Sequence, residues 1–272
     1  MAQDRFSFGK NWKKYLACVD EERIKIAEQS LLETLKVPDL HGKRFLDIGS
    51  GSGLFSLAAH RLGAEVVSFD YDAESVSCTQ EMEKLWGKTG GEGGSQPWTI
   101  FQGSVLDQEM LQRLGTFDVV YSWGVLHHTG DMKQAFENVV PLVKSKGRLF
   151  LSIYNDQGRM SRFWHWVKKT YNGSGPTGRL ALLTLAFIRT WMFVFLVDFV
   201  RHGSPLKRWK KYREDRGMSP FRDVVDWVGG YPFEVAKPDL VFNFFQERGF
   251  QLEYLTTCAG KLRCNEFVFQ KL

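Results

Sequence analysis

Phe45-Leu46-Asp47-Ile48-Gly49-Ser50-Gly51-Ser52-Gly53 is the stretch on which the fold class turns. A short apolar run from Arg44 enters three alternating glycines, and Leu54 to Leu62 resumes apolar residues at helical spacing, which predicts strand, turn and helix. Glycine in such a turn lets the backbone approach a ligand closely, and the N-terminus of the following helix offers unpaired N–H groups to a carboxylate or phosphate. The dinucleotide fingerprint would place its third glycine at position 54, which is Leu54 here, so a pyrophosphate cradle is disfavoured. Asp47 argues the same way, because its charge would repel a pyrophosphate and attract an ammonium group. The loop suits a zwitterionic amino-acid tail.

Working outward, Val66 to Phe69 reads as a second strand ending in Asp70, about twenty residues past the glycines, where such folds hold a ribose diol; Asp72 is the reserve candidate. Ser75 to Trp86 is helical, Trp98 to Gln102 and Phe117 to Ser122 are the third and fourth strands, and Leu111 and Leu114 lie on a short helix between them. A helix over Asp131 to Val143 and a turn at Lys146-Gly147 lead to a fifth strand, Arg148 to Ile153. Strands alternating with helices imply a parallel sheet. Near the end, Pro238 to Arg248 is helical with Gly249 as its cap, and Gln251 to Thr256 and Glu266 to Gln270 read as two closing strands. Ahead of the glycine motif, Glu21 to Leu35 predicts a helix. The five glycines between Gly87 and Pro97 precede no apolar helix and read as a connection. Asn155 to Tyr231 is too long for an ordinary βα connection and predicts an insertion with its own structure. The expected organisation is an N-terminal helical segment (1–42), a cofactor-binding core (43–155), a helical insertion or lid (156–235), and a closing helix and hairpin (236–272).

These residues resemble the class I S-adenosylmethionine-dependent methyltransferases, whose first motif has the form hydrophobic-Asp-x-Gly-x-Gly-x-Gly and whose second strand ends in an acid. The resemblance implies an α/β, Rossmann-like sheet of seven strands with an antiparallel C-terminal hairpin, and S-adenosyl-L-methionine as cofactor. It implies that Asp47, Gly49, Gly51 and Gly53 lie at the methionine end and that Asp70 holds the ribose. Gln102-Gly103-Ser104-Val105 matches the family's adenine loop, with Ser104 where an Asp is usual, so that the bond to the adenine amino group falls to Ser104 or Asp107. Trp123 completes the expected cofactor set.

After the fourth strand comes Tyr121-Ser122-Trp123-Gly124-Val125-Leu126-His127-His128-Thr129-Gly130. Strand C-termini carry the chemistry in open α/β sheets. This loop and Ser152-Ile153-Tyr154-Asn155 resemble the small-molecule methyltransferases of ubiquinone-biosynthesis type, whose matching loop contains Val-Leu-x-His. His127 and His128 are candidate general bases for a hydroxyl or thiol, His127 slightly ahead because that loop more often has a His there; the alternative is that they cap a helix or pack beneath the cofactor. Tyr154, Asn155, Trp227, Tyr231 and Glu234 are candidate acceptor contacts. The resemblance implies O-methylation of a hydroxylated aromatic or quinol. S-methylation of a small thiol or sulfide needs the same loop and less pocket. A silent cofactor-binding scaffold or RNA-binding partner is a third reading, against which stand the intact glycine motif and the lack of an aromatic-basic RNA motif.

Composition narrows the setting. A net charge of +5 over 272 residues is modest for a nucleic-acid binder, and no nucleic-acid partner is expected. Cys18, Cys78, Cys258 and Cys264 form no CxxC pair and no spacing with His that reads as a metal site, so free thiols and no metal are expected. MAQDRFSFGKNWKK has no apolar h-region, so a cytoplasmic location is expected. Leu180 to Val200 is apolar on every helical face, interrupted by Arg189 and Asp198. Arg159, Arg162, Lys168 and Lys169 precede it, Lys207, Arg208, Lys210, Lys211 and Arg213 follow, and Trp164, Trp166 and Trp209 lie among them. Two readings stand, a hydrophobic lid over the acceptor site and a peripheral membrane contact through 180–213 at the inner face of a membrane.

Overall fold

The computed structural model describes residues 6, 9–87, 96–204, 220–260 and 263–272. Most of the glycine-rich connection (88–95), the basic flank with Lys207, Arg208, Trp209, Lys210, Lys211 and Arg213, and Arg216 to Ser219 lie outside the described residues. The chain divides into two compact units, Ser7–Ser161 with Glu234–Leu272, and Arg162–Phe233 with the N-terminal end.

In the first unit, β1 (Arg44–Ile48), β2 (Glu65–Asp70), β3 (Trp98–Gln102), β4 (Phe117–Trp123), β5 (Val143–Tyr154), β6 (Phe250–Thr256) and β7 (Cys264–Lys271) form one sheet in the order β3-β2-β1-β4-β5-β7-β6. The first five are parallel; β7 runs antiparallel to β5, and β6 antiparallel to β7. This is the expected α/β, Rossmann-like seven-stranded sheet with an antiparallel C-terminal hairpin. Strands buried on both faces explain the unbroken apolar runs.

One face is covered by α2 (Glu21–Leu35) and α3 (Leu54–Arg61), whose Leu31, Leu35, Ala58 and Ala59 meet Val119, Tyr121, Phe150 and Val268. The other takes α5 (Gln108–Leu114), α6 (Met132–Val139) and α10 (Pro238–Gln246), with Phe136, Val139, Val241 and Phe245 against Leu46, Val120, Leu149 and Phe269. Aspartates open four helices: Asp20, Asp72, Asp107 and Asp131 accept from the backbone N–H of Arg23, Glu74, Met110 and Gln134 at 2.9 to 3.0 Å. Asp72, which caps α4 (Ala73–Trp86), and Asp107 are thus engaged as caps, which weakens both as reserve ligands.

Three elements depart from expectation. Gly9–Leu16 is a helix, α1, packed on α4. The helix after β4 ends at Val139, and a 3-10 turn carries Pro141 before Val143 enters β5. β5 starts five residues earlier than expected, running through Lys146, whose φ of 60° gives it the look of a turn in sequence.

The second unit holds α7 (Arg159–Gly173) from Arg162 onward, α8 (Pro176–His202) and α9 (Pro220–Gly229). Lys168 is fully buried there. Its Nζ donates to the Trp227 carbonyl and lies 4.3 Å from the Trp227 ring centre and 4.8 Å from that of Phe233. Burial pushes its ammonium pKa down to about 7, with Asp226 opposing. Among the described residues α8 is the helix long and apolar enough to cross a membrane, yet only 12 % of its apolar window is buried. Leu185, Ile188, Met192, Leu196 and Phe199 form one stripe at three- and four-residue spacing, each 43 to 65 % exposed. Trp191 and Asp198 are on the buried side.

Candidate active site

The glycine loop sits where β1 hands over to α3, at the C-terminal edge of the sheet. Gly49 N–H donates to the Phe69 carbonyl at 2.8 Å, tying the loop to β2. Gly49 has a φ of +80°, and a Cβ there would stand 2.4 Å from Val125 Cγ2. The loop after β4 therefore rests on the glycine loop in van der Waals contact. Gly51 has a φ of +56°, and a Cβ there would meet the Trp12 indole at 3.1 Å. Gly53 is the N-cap of α3, and a Cβ there would come 2.9 Å from the Thr79 Cα. A side chain at any of the three would collide with the chain's own Val125, Trp12 or Thr79, so the tight loop requires glycine, and glycine also lets its backbone be approached closely.

Two acids flank the loop. Asp70 Oδ2 accepts from Gly51 N–H at 3.0 Å and Oδ1 from Asp72 N–H at 2.9 Å. Burial raises its pKa to about 6, and those backbone donors oppose the rise. Asp47 is buried, its Oδ2 accepting from Ser56 Oγ at 2.5 Å. Burial pushes its pKa up to about 7, the Ser56 hydroxyl lowers it and Asp70 adds to the rise. Ser104 Oγ accepts from Leu106 N–H at 3.2 Å, and the Val105 carbonyl accepts from Asn138 Nδ2 at 2.9 Å, so the loop after β3 is tied to itself and to α6.

The loop after β4 holds the histidine pair in a 3-10 turn, Leu126–His128. His127 is buried, its Nδ1 accepts from Tyr154 N–H at 3.4 Å, and its ring lies 4.0 Å from that of Tyr154. His128 is half-buried, 4.5 Å from the His127 ring and edge-on to Tyr154 at 5.5 Å. Trp123 is exposed, and its Nε1 donates to Glu266 Oε1 at 2.9 Å. The strand register sets Trp123, Ser152 and Glu266 in one row across β4, β5 and β7.

The remaining predicted residues separate. Asn155 Oδ1 accepts from Asn265 Nδ2 at 3.1 Å, beside Tyr154 at the end of β5. Glu234 accepts from Met132 N–H at 3.1 and 3.0 Å, so its carboxylate is engaged at the start of α6 rather than presented to a pocket. Trp227 packs on Trp164 at 5.3 Å and Tyr231 on His165 at 5.8 Å, within the second unit. Trp12 and Glu266 had no sequence signal strong enough to place them: the first is a lone aromatic on a basic segment, the second an acid on a closing strand.

A sheet of this order, with three glycines after β1, an acid ending β2 and the histidine loop after β4, is the arrangement of a class I methyltransferase domain. The chain belongs to the Methyltransferase domain family, whose model matches residues 19–192. It is 32% identical over 117 residues to a ubiquinone biosynthesis O-methyltransferase of Xanthomonas oryzae pv. oryzae, covering 43% of this chain and 45% of that one. Against the protein of that description from Cronobacter sakazakii it is 30% identical over 125 residues, 46% of each. The chain thus spans less than half the length of these relatives. In fold it is similar to the magnesium protoporphyrin IX methyltransferase ChlM of Synechocystis PCC 6803, solved with bound SAH (TM-score 0.51, 15% identity, 93% of this chain and 89% of that one). The same enzyme solved with SAM gives a TM-score of 0.52 at 13% identity, over 92% of this chain and 79% of that one.

Proposed function

We propose that this chain transfers the methyl group of S-adenosylmethionine to an oxygen of a small hydroxylated aromatic or quinol, working peripherally at the cytoplasmic face of a membrane. The observation that carries the reading is the contact of Val125 with Gly49, which sets the histidine loop directly against the cofactor loop. The names of the ubiquinone-type relatives support the acceptor class. The backbone of Gly49, Gly51 and Gly53 lies along the methionine end, Asp47 faces its ammonium group, Asp70 takes the ribose, and Ser104, Val105 and Trp123 border the rest. When bound, the donor supplies an electrophilic methyl group on a sulfonium sulfur. The chain aligns the acceptor oxygen in line with that methyl and takes up the hydroxyl proton as the new C–O bond forms and the C–S bond breaks.

His128 receives that proton in this reading. His127 is buried with Nδ1 turned to the Tyr154 N–H, which places its neutral proton on Nε2 and makes it a positioning group for the loop. The preference for His127 is thereby reversed on burial. Methyl transfer from labelled donor across phenols, quinols and thiols tests the function: label on a hydroxyl supports it, and label on thiols alone overturns it in favour of S-methylation.

The exposed stripe on α8 supports bilayer contact over a buried lid. Five large apolar side chains face outward between Leu185 and Phe199, about 21 Å of helix. A single crossing is incompatible with the topology, since β5 before α8 and β7 after it pair in one sheet. The helix therefore lies along the surface, with Arg159, Arg162, Lys169, Arg179 and Arg201 available to anionic headgroups. Flotation with phosphatidylglycerol-containing vesicles at low salt should carry the protein upward, and Leu185→Glu with Met192→Glu should abolish it. A wild-type chain that stays at the bottom, or that buries the stripe in a dimer, overturns the membrane role.

A further inference from the structure

Beneath the glycine loop, four side chains from four different elements form an unbroken hydrogen-bonded line. Trp98 Nε1, at the start of β3, donates to Ser68 Oγ on β2 at 2.9 Å. Ser68 Oγ donates to Ser56 Oγ on α3 at 2.7 Å, and Ser56 Oγ donates to Asp47 Oδ2 at the end of β1 at 2.5 Å. Ser56 and Ser68 are completely buried, and Asp47 nearly so.

The line has a direction. An indole N–H can only donate, whereas a serine hydroxyl holds one proton and can both accept and donate. With Trp98 at one end, Ser68 must accept from it and pass its own proton to Ser56, and Ser56 must pass its proton to Asp47. Reversing the line would make the Ser68 oxygen accept from both Trp98 and Ser56, leave the Ser68 proton with no acceptor in the line, and require a protonated Asp47 to donate to Ser56. Hydrogen bonds in series polarise one another, so the last donor is strengthened by those behind it.

We propose that Trp98, Ser68 and Ser56 form a one-way relay of positioning residues that holds Asp47 as a charged acceptor, oriented toward the ammonium group of the methyl donor. The inference rests on the reading that Asp47 lies in the cofactor site. Asp47 needs such support because burial favours its neutral form and so does Asp70 at the end of β2; Tyr121 on β4 also faces it, and burial and the Asp47 charge hold that phenol neutral. Tyr121 offers no compensating donation, since its buried hydroxyl has no hydrogen-bond partner among the described residues. The donors that keep the carboxylate ionised come through Ser56. The relay also explains why serines occupy two fully buried positions between apolar neighbours on β2 and α3, where alanine would pack as well.

Calorimetry from pH 6 to 9, with S-adenosylmethionine and with methylthioadenosine as a probe lacking the amino-acid tail, tests the relay on the full chain. Ser56→Ala should weaken S-adenosylmethionine about tenfold near pH 7 and move the inflection of its pH profile upward. Trp98→Phe, which keeps the ring and removes the donor, should weaken it about threefold with a smaller shift in the same direction. Methylthioadenosine should bind all three proteins alike, and Ser56→Thr should restore the wild-type profile. Equal loss for both ligands, or profiles that do not move, overturns the relay. Asp47→Asn separates the two levels of the argument: unchanged S-adenosylmethionine binding removes Asp47 from the site altogether, whereas weakened binding beside unmoved Ser56→Ala and Trp98→Phe profiles removes the relay alone.

Discussion

Replacing Gly49 by alanine tests the contact that joins the two functional loops. The backbone there has a φ of +80°, and the new methyl would lie 2.4 and 2.5 Å from the two Cγ atoms of Val125. The left-handed conformation costs a residue with a Cβ about 1–2 kcal/mol. Forcing a methyl into occupied space costs about 1–3 kcal/mol more, so Gly49→Ala should lose about 2–5 kcal/mol of stability in urea unfolding. The two terms can be separated. Val125→Ala removes both Cγ atoms and leaves the Cβ at 3.0 Å, relieving most of the overlap and none of the φ strain. The double variant should therefore recover about 1–2 kcal/mol relative to Gly49→Ala, although Val125→Ala alone destabilises. Turnover of Gly49→Ala should fall further than its folded fraction, because displacing the histidine loop spoils the in-line geometry. Additive destabilisation in the double variant, with no recovery, would refute the proposed contact between the loops.

Three further outcomes are expected. His128→Ala should lower turnover about 10²-fold or more with little change in cofactor affinity, whereas His127→Ala should chiefly lower stability; full turnover in both would leave catalysis to positioning alone. Asp70→Ala should weaken S-adenosylmethionine by about 1.5–3 kcal/mol in calorimetry, and unchanged affinity would remove Asp70 from the site. Lys168 has its pKa depressed to about 7 in the folded chain, so from there to its ordinary value the unfolded state binds more protons and this group makes stability rise with pH. Lys168→Met should flatten that rise in unfolding curves taken between pH 7 and 10, and an unchanged slope would contradict the burial of the ammonium group.

The parallel half of the sheet was legible because strands buried on both faces write themselves as short apolar runs. α1 was not, since Gly9–Leu16 is largely basic and its Trp12 gains meaning only from Gly51, far along the chain. The early start of β5 was hidden by Lys146 and Gly147, which read as a turn while the strand runs through them. At the site, the glycines and Asp70 were visible because spacing and strand ends are local properties. The engagement of Glu234 was not legible for the opposite reason: its partner, the Met132 N–H, is 102 residues away, and no local pattern announces a cap supplied from that distance.

The position of β7 bears on how the chain reaches this arrangement. It lies between β5 and β6, and Phe267, Val268 and Phe269 are completely buried, so of this sheet's strands the one latest in chain order becomes an interior one. The helices α7, α8 and α9 leave the ribosome while β5 still exposes the edge that β7 will occupy, a non-local pairing of the kind that forms late. An apolar stripe is thus presented before the sheet is complete. Chaperone demand during synthesis should therefore concentrate in the interval between α8 and β7, when the stripe is out and the sheet still has an open edge.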